Sequence, residues 1–365
     1  MLNMLLDRLP MLEQAMLVAD DTAERLIMSE SHDVLIIGGG SAGLTVGAQL
    51  RSRPDAPAVT IIEPSAKHHY QPLWTLVGGG IFPREDSERN EADFIPLGAT
   101  WIQDAVATID PVAHTVRTAS GQELPYEQLV VAAGLQLDWT ALPGLADSVG
   151  KPGTGVVSNY SYDTVASTWE VTRTFRGGTA IFTETKTPVK CGGAPKKIMY
   201  LAEESFRRQG VRDKTRVLFM NAKASNFTAP AYGATFRRLC AERGIELLLE
   251  HELVGIRPEA REAVFRLADG STIVEHYDMM HVTPAQSTPD FLKHSPLIGD
   301  GRIRLHQDPQ GVVPVRPESG ALEYVRAQGL RVAEALLACH AARTHVVRRQ
   351  TRWSRAVGLP VRRTG

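Results

Sequence analysis

An α/β chain built from two similar parallel-sheet units is what this sequence predicts, on three observations. The apolar run Val34-Leu35-Ile36-Ile37 passes directly into Gly38-x-Gly40-x-x-Gly43 and then into a helical stretch at 44–51. A second apolar run, Val59-Thr60-Ile61-Ile62, follows about twenty residues on and ends at an acid, Glu63. From residue 179 the succession begins again, with a strand at 179–182, a helix reaching Arg208 and a strand at 216–220. Unbroken apolar strands mark a sheet covered on both faces, and their alternation with helices makes the sheets parallel. The expectation is two Rossmann-like domains.

The glycine loop carries the chemistry of the first unit. Gly38 permits a tight turn, Gly40 lets a pyrophosphate approach the backbone, and Gly43 lets the helix sit close to the strand. Free amides of the loop and helix start, Ser41 and Ala42 among them, favour phosphate together with the helix dipole. Glu63 can accept hydrogen bonds from both ribose hydroxyls of an adenosine and would repel a 2′-phosphate. The ligand is therefore FAD or NAD rather than NADP. A glycine turn beside an unrelated surface glutamate is the competing account, and the register of strand, loop, helix, strand and acid weighs against it.

The bulk properties narrow the class. A chain of 365 residues is long enough for two cores, and 43% hydrophobic with 22% charged residues is ordinary for a globular protein. A net charge of −1 gives no reason to expect nucleic acid as a partner. The three cysteines, Cys191, Cys240 and Cys339, make neither a disulfide framework nor a zinc site and fit a reducing, cytoplasmic compartment. No apolar run approaches the roughly 20 residues that span a bilayer. Any work at a membrane is expected at its surface.

Along the chain, residues 1–31 place Leu2, Leu5, Leu6, Leu9, Leu12, Met16 and Leu17 at helical spacing. They read as a helical extension rather than a secretory signal, with an amphipathic anchor as the alternative. Residues 32–150 form the first part of the nucleotide-binding domain. Within them His68-His69-Tyr70-Gln71-Pro72-Leu73-Trp74 reads as a loop beside the cofactor; two histidines without a third ligand imply no metal. Strands are expected at 100–106, 115–118 and 127–133, the last ending in Ala132-Ala133-Gly134, small enough for a ligand to approach closely. Glycine, proline and serine dominate 141–162, which marks a crossover. Residues 151–276 make the second domain, closing with a hairpin at 262–276. A return strand at 277–284 opens a segment, 277–310, that rejoins the first domain. Residues 311–365 form an atypical tail rich in arginine and without lysine.

The catalytic candidate is Cys191, in Pro188-Val189-Lys190-Cys191-Gly192-Gly193-Ala194-Pro195-Lys196-Lys197. It stands where the first unit has its glycine loop, at the expected start of a helix. Unpaired amides, the helix dipole and the charges of Lys190, Lys196 and Lys197 favour a thiolate. The alternative is a buried small hydrophobe, the lot of most free cysteines; Cys240, on the apolar side of a helix, fits that description.

Residues 33–43, Glu63-Pro64-Ser65, 69–78, Ser158-Asn159-Tyr160-Ser161, 188–201 and Met280-His281-Val282-Thr283-Pro284 together resemble the sulfide:quinone oxidoreductases, the mitochondrial-type branch most closely. The likeness runs from about residue 32 to about residue 309. It implies a pyridine nucleotide-disulfide oxidoreductase-like fold with FAD as cofactor, sulfide as substrate and a membrane quinone as electron acceptor. By the resemblance Gly38, Gly40, Ser41, Ala42 and Gly43 bind the pyrophosphate and Glu63 the ribose. Gln71, Gly134 and the backbone of Val106 line the rest of the cofactor, and Cys191 is one of two redox cysteines. The location implied is cytoplasmic, or peripheral on the cytoplasmic face of the inner membrane. The family's second flavin motif, its second redox cysteine and its apolar membrane foot have no match here. Gly299-Asp300 comes too early, Cys339 does not align, and residues after about 310 read as a truncated or frame-altered ending. Two other readings are an NADH:quinone-type flavoprotein reductase and a non-catalytic FAD-binding remnant.

Overall fold

The computed structural model describes residues 32–227, 229–299 and 302–303. The helical extension, Cys339 and the tail expected at 311–365 lie outside the described residues. In chain order the strands are β1 His32–Ile37, β2 Val59–Ile62, β3 Lys67–His69, β4 Glu88–Asn90, β5 Thr100–Ile102, β6 Val106–Asp110, β7 Thr115–Thr118, β8 Glu123–Val131 and β9 Gln136–Leu137. They continue with β10 Val156–Val157, β11 Gly178–Glu184, β12 Thr215–Asn221, β13 Ile245–Leu249, β14 Glu252–Arg257, β15 Glu262–Arg266, β16 Thr272–His276, β17 Met279–His281 and β18 Gln286–Ser287. The helices are α1 Ser41–Arg51, α2 Trp74–Gly78, α3 Tyr162–Thr174, α4 Ala194–Arg208, α5 Pro230–Glu242 and α6 Asp290–Lys293. From Pro296 on, the described residues belong to a separate unit, in which Ile298 pairs antiparallel with Ile303 and Gly299 with Arg302.

Two sheets organise the rest. The first runs β5-β2-β1-β8-β7-β6, with β5, β2, β1 and β8 parallel and the β6–β7 hairpin added antiparallel. The second, β10-β17-β11-β12-β13, is parallel throughout. Central strands are apolar on both faces because both are covered: Leu35, Ile36, Ile61, Ile181, Phe182, Leu218 and Phe219 are all fully buried. In the second sheet α4 and α5 pack on the Phe182 and Phe219 side, while β14 and β15 pack on the Ile181 and Leu218 side. Each such side chain contributes about 1.5–3 kcal/mol relative to exposure. The α/β architecture with two Rossmann-like sheets is as the sequence predicts.

Several boundaries differ, each for a physical reason. The single strand expected at 100–106 is two strands on opposite edges of the sheet, β5 and β6. Between them the Asp104 carboxylate accepts from Ala105 N at 2.7 Å and turns the chain. The strand expected at 127–133 is β8, longer at its start because residues 123–125 pair with β7 before the later residues pair with β1. The crossover at 141–162 contains β10 and leads into α3, which is capped at its N-terminus by Ser161, the side chain accepting from Asp163 N. The return strand expected at 277–284 is β17, and it lies inside the second sheet between β10 and β11. The second sheet therefore takes in residues past 276, and β18 then pairs with β9. Strand β14 makes the expected hairpin three-stranded.

Candidate active site

The glycine loop follows β1 as expected. Gly38 has φ +106°, and a Cβ there would lie 2.4 Å from Ala132 O at the end of β8; a Cβ on Gly43 would lie 1.9 Å from Gly38 O. Loop, helix and neighbouring strand are thus packed as closely as backbone allows. Gly40, Ser41 and Ala42 face solvent, and a Cβ on Gly40 would meet nothing within 4 Å. The first turn of α1 carries no acidic residue and no side-chain cap, so its leading amides remain available. Open space above free amides is what a pyrophosphate requires, and these residues fit one.

Glu63, just past β2, is oriented by two backbone donors: Gly39 N gives to Oε2 and Ser65 N to Oε1, each at 2.8 Å. Each carboxylate oxygen keeps a further acceptor direction, which suits paired ribose hydroxyls. Beneath the loop lies a second acid that sequence reasoning missed. Glu91 is 1% exposed, its Oε2 is 3.1 Å from His68 Nδ1, and its Oε1 would sit 2.5 Å from a Cβ on Gly39. Burial pushes the Glu91 carboxyl up, against the pull of His68. Gly134, with φ +69° and open space around it, lies just past the end of β8, beyond the Ala132 and Ala133 backbone that a Cβ on Gly38 would meet. Gln71 is exposed at the head of a 3-10 turn and Val106 opens edge strand β6; among the described residues no hydrogen bond ties either to the glycine loop.

Cys191 is exposed and free, in the turn before α4 rather than inside it. Pro195 and the Gly192-Gly193 pair set that later start; Ala194 N donates to Cys191 O at 3.2 Å and Lys197 N to Gly193 O at 3.0 Å. The loop is pinned from three sides. Tyr160 Oη donates to Cys191 O at 2.9 Å. Lys190 N donates to Gln286 Oε1 at 2.7 Å, and Lys190 Nζ donates to Tyr160 O at 2.9 Å while lying 4.9 Å above the Trp74 ring. Much of the Lys190 stem is exposed, but its ammonium end is tucked against these groups, and that burial pushes it down to about 8.

The three lysines do not act alike. Lys196 is 4% exposed and hydrogen-bonds Glu184, itself 5% exposed, so its charge is matched rather than offered to the thiol. The expectation that Lys196 adds net positive charge at Cys191 is corrected on that ground. Lys197 is exposed. Cys240 is fully buried in the core of the second sheet beside Tyr200, and burial pushes its thiol up. Among the described residues it is the only other cysteine, and its burial removes it as a partner for Cys191.

Beside this loop the ends of β10 and β17 bring Asn159 and His281 together. His281 is fully buried, Asn159 N donates to its Nε2 at 3.3 Å, and burial pushes it down to about 3, which keeps it neutral. The motifs holding Asn159, Tyr160 and His281 are visible in the sequence, but the meeting of Asn159 with His281, next to the Tyr160 that bonds Cys191 O, depends on a strand pairing between residues 156–157 and 280–281.

Comparison with known proteins agrees with this geometry. The family model of the pyridine nucleotide-disulphide oxidoreductases matches residues 32–168. The mitochondrial sulfide:quinone oxidoreductase of Dictyostelium discoideum is 46% identical over 266 residues, 72% of this chain and 58% of that protein. The mitochondrial enzyme of the same name from Mus musculus is 43% identical over 268 residues, 73% of this chain and 59% of that protein. The crystal structure of the sulfide:quinone oxidoreductase from Aquifex aeolicus superposes with a TM-score of 0.62 at 20% identity, covering 71% of this chain and 60% of that one. The chain thus spans about six tenths of the length of the relatives it matches.

Proposed function

This chain is a homologue of the mitochondrial sulfide:quinone oxidoreductases, and we propose on that footing that it takes part in flavin-dependent oxidation of sulfide with a membrane quinone as electron acceptor. The observation that carries the reading is an exposed cysteine, Cys191, standing in the second unit where the first has its glycine loop. Gly38, Gly40, Ser41, Ala42 and Gly43 would hold the FAD pyrophosphate, Glu63 the adenosine ribose, and Gln71, Val106 and Gly134 the remainder. When bound, FAD supplies the two-electron acceptor that sulfide oxidation needs.

The chain's own residues prepare the sulfur chemistry. Cys191 is the thiol that bonds to sulfur, since it is exposed and Cys240 is not. Lys190 supplies a positive charge next to it in the chain, held in place by Tyr160 and Trp74, which would attract a sulfide anion to the site. His281 stays neutral and orders the Asn159–Tyr160 backbone rather than exchanging protons. An NADH-dependent reading is disfavoured by the second unit: β11 ends in the acid Glu184, and no three-glycine loop follows to receive a pyrophosphate. The quinone would bring the protein to a membrane surface; among the described residues no helix is long and apolar enough to cross a membrane.

Steady-state quinone reduction tests the proposal. Sulfide should drive reduction of a short-chain quinone and NADH should not, and Cys191→Ser should lower the sulfide-driven rate at least a hundredfold, on the order of effects seen when a nucleophile is removed. NADH-driven turnover, or full activity in Cys191→Ser, would sink it.

A further inference from the structure

We propose that Lys196, locked by Glu184, is a positioning residue for Cys191, acting by holding the Gly192 carbonyl inward so that the loop's free amides stay on its open side. The inference rests on the reading of Cys191 as the reacting thiol.

Glu184 is the last residue of β11, and Lys196 lies in the first turn of α4. Their side chains are joined by a short hydrogen bond in a site sealed from water. The Lys196 ammonium also donates to Gly192 O at 2.9 Å and lies 5.1 Å and 5.5 Å from the ring centres of Phe227 and Phe219. Lys223 Nζ approaches the other Glu184 oxygen at 3.5 Å. Burying such a pair is costly and gives little stability over an apolar pair of the same shape. Its third contact, to the peptide next to Cys191, is where it has an effect.

That effect follows from peptide geometry. In a planar trans peptide the carbonyl and the next N–H point in opposite directions. With Gly192 O drawn to Lys196 and Cys191 O drawn to Tyr160 Oη, the N–H groups of Gly193 and Gly192 are turned away from those partners. Neither has a hydrogen-bond partner among the described residues. Gly193 caps α4 without any side-chain bond; Ala194 N to Cys191 O and Lys197 N to Gly193 O hold the peptides on either side, so the Gly192–Gly193 peptide is the one that Lys196 orients. Successive free amides favour negative charge nearby, and the exposed Cys191 directly precedes them in the chain. Released from Lys196, the Gly192–Gly193 peptide between two glycines is free to rotate and carry the Gly193 amide away.

The lock acts through loop order and not as a net charge, and one substitution separates the two. Glu184→Gln removes a negative charge near Cys191 while freeing Lys196 from its partner. A simple charge effect would make the thiol more reactive; loss of positioning makes it less so. The experiment is alkylation of Cys191 by iodoacetamide in the full chain from pH 6 to 9, read by mass spectrometry of the Cys191 peptide. Glu184→Gln and the apolar double variant Glu184→Met/Lys196→Met should both alkylate about tenfold more slowly at neutral pH, with the midpoint of the profile moved up. Unreacted Cys240 in every sample reports that the core is intact. If Glu184→Gln does not fold, the double variant decides, since it leaves no buried unpaired charge; Lys223, which loses its partner, is partly exposed. Alkylation as fast as in the unmodified protein, or faster, in a folded variant overturns the proposal. The assay needs neither sulfide nor quinone, so it stands apart from failure of the proposed activity.

Discussion

A methyl group would do different things at Gly40 and Gly43, three residues apart in one loop. At Gly43 it meets Gly38 O at 1.9 Å; at Gly40, where φ is −67° and ψ is 178°, it meets nothing. Gly43→Ala should therefore cost about 1–3 kcal/mol by overpacking. Gly40→Ala should melt within about 0.5 kcal/mol of the parent yet retain much less flavin, because its methyl points into the space the pyrophosphate needs. Thermal melts and flavin absorbance per chain check both. His281 supplies a pH prediction. Its folded value of about 3 lies below the ordinary 6.5, so between those values the unfolded chain binds a proton that the folded chain refuses. Stability is then lost as pH falls below about 6.5, by about 1.4 kcal/mol per pH unit from this group alone. Comparing denaturant unfolding at pH 7 and pH 5, His281→Gln should lack that component of about 2 kcal/mol. The packing of the glycines and the placing of Glu63 beside them were legible in the sequence because that geometry is local, set by a turn and the strand that ends beside it. Glu91 was not, and the motifs of Asn159, Tyr160 and His281 were visible without their meeting, since each reaches its neighbours from a distant part of the chain.

Helix α4 illustrates what an element adds. One face is buried through Ile198, Met199, Ala202 and Phe206, and its fully buried Glu203 gathers Arg207 at 2.6 Å, Arg243 at 2.9 Å and Arg212 at 3.1 Å. These contacts tie α4 to the end of α5 and to the turn before β12. Glu203→Ala should cost about 3 kcal/mol, toward the lower end for a broken buried ion pair because two of the arginines remain well solvated. It should leave Cys191 alkylation unchanged in the folded fraction. Denaturant midpoints and the alkylation assay together check this. Such helices announce themselves by apolar spacing. Helix α3 did not, because its buried face is Val165, Thr168 and Thr172, mostly threonine with no apolar stripe to read. The start of α4 was misplaced by three residues for a similar reason: glycines and a proline blur the boundary that places Cys191 in a turn.

At the scale of the molecule, two parallel sheets have opposite fittings at corresponding strand ends. The first ends in open glycine backbone shaped for a phosphate, and the second in a buried ion pair and an exposed cysteine. Repetition of the strand–loop–helix unit made this duality legible, but the strand order of the second sheet was not. Strand β17 comes last of its five strands in the chain yet sits between β10 and β11, a placement no local pattern specifies. The central claim is that a cofactor held by the first sheet exchanges electrons with sulfur bound at Cys191 of the second. The most direct measurement is an anaerobic absorbance spectrum of the purified full chain before and after sulfide, in the parent and in Cys191→Ser. The account predicts a visible flavin band that bleaches with sulfide in the parent and persists in the variant. A colourless chain, a band indifferent to sulfide, or equal bleaching without Cys191 would contradict it.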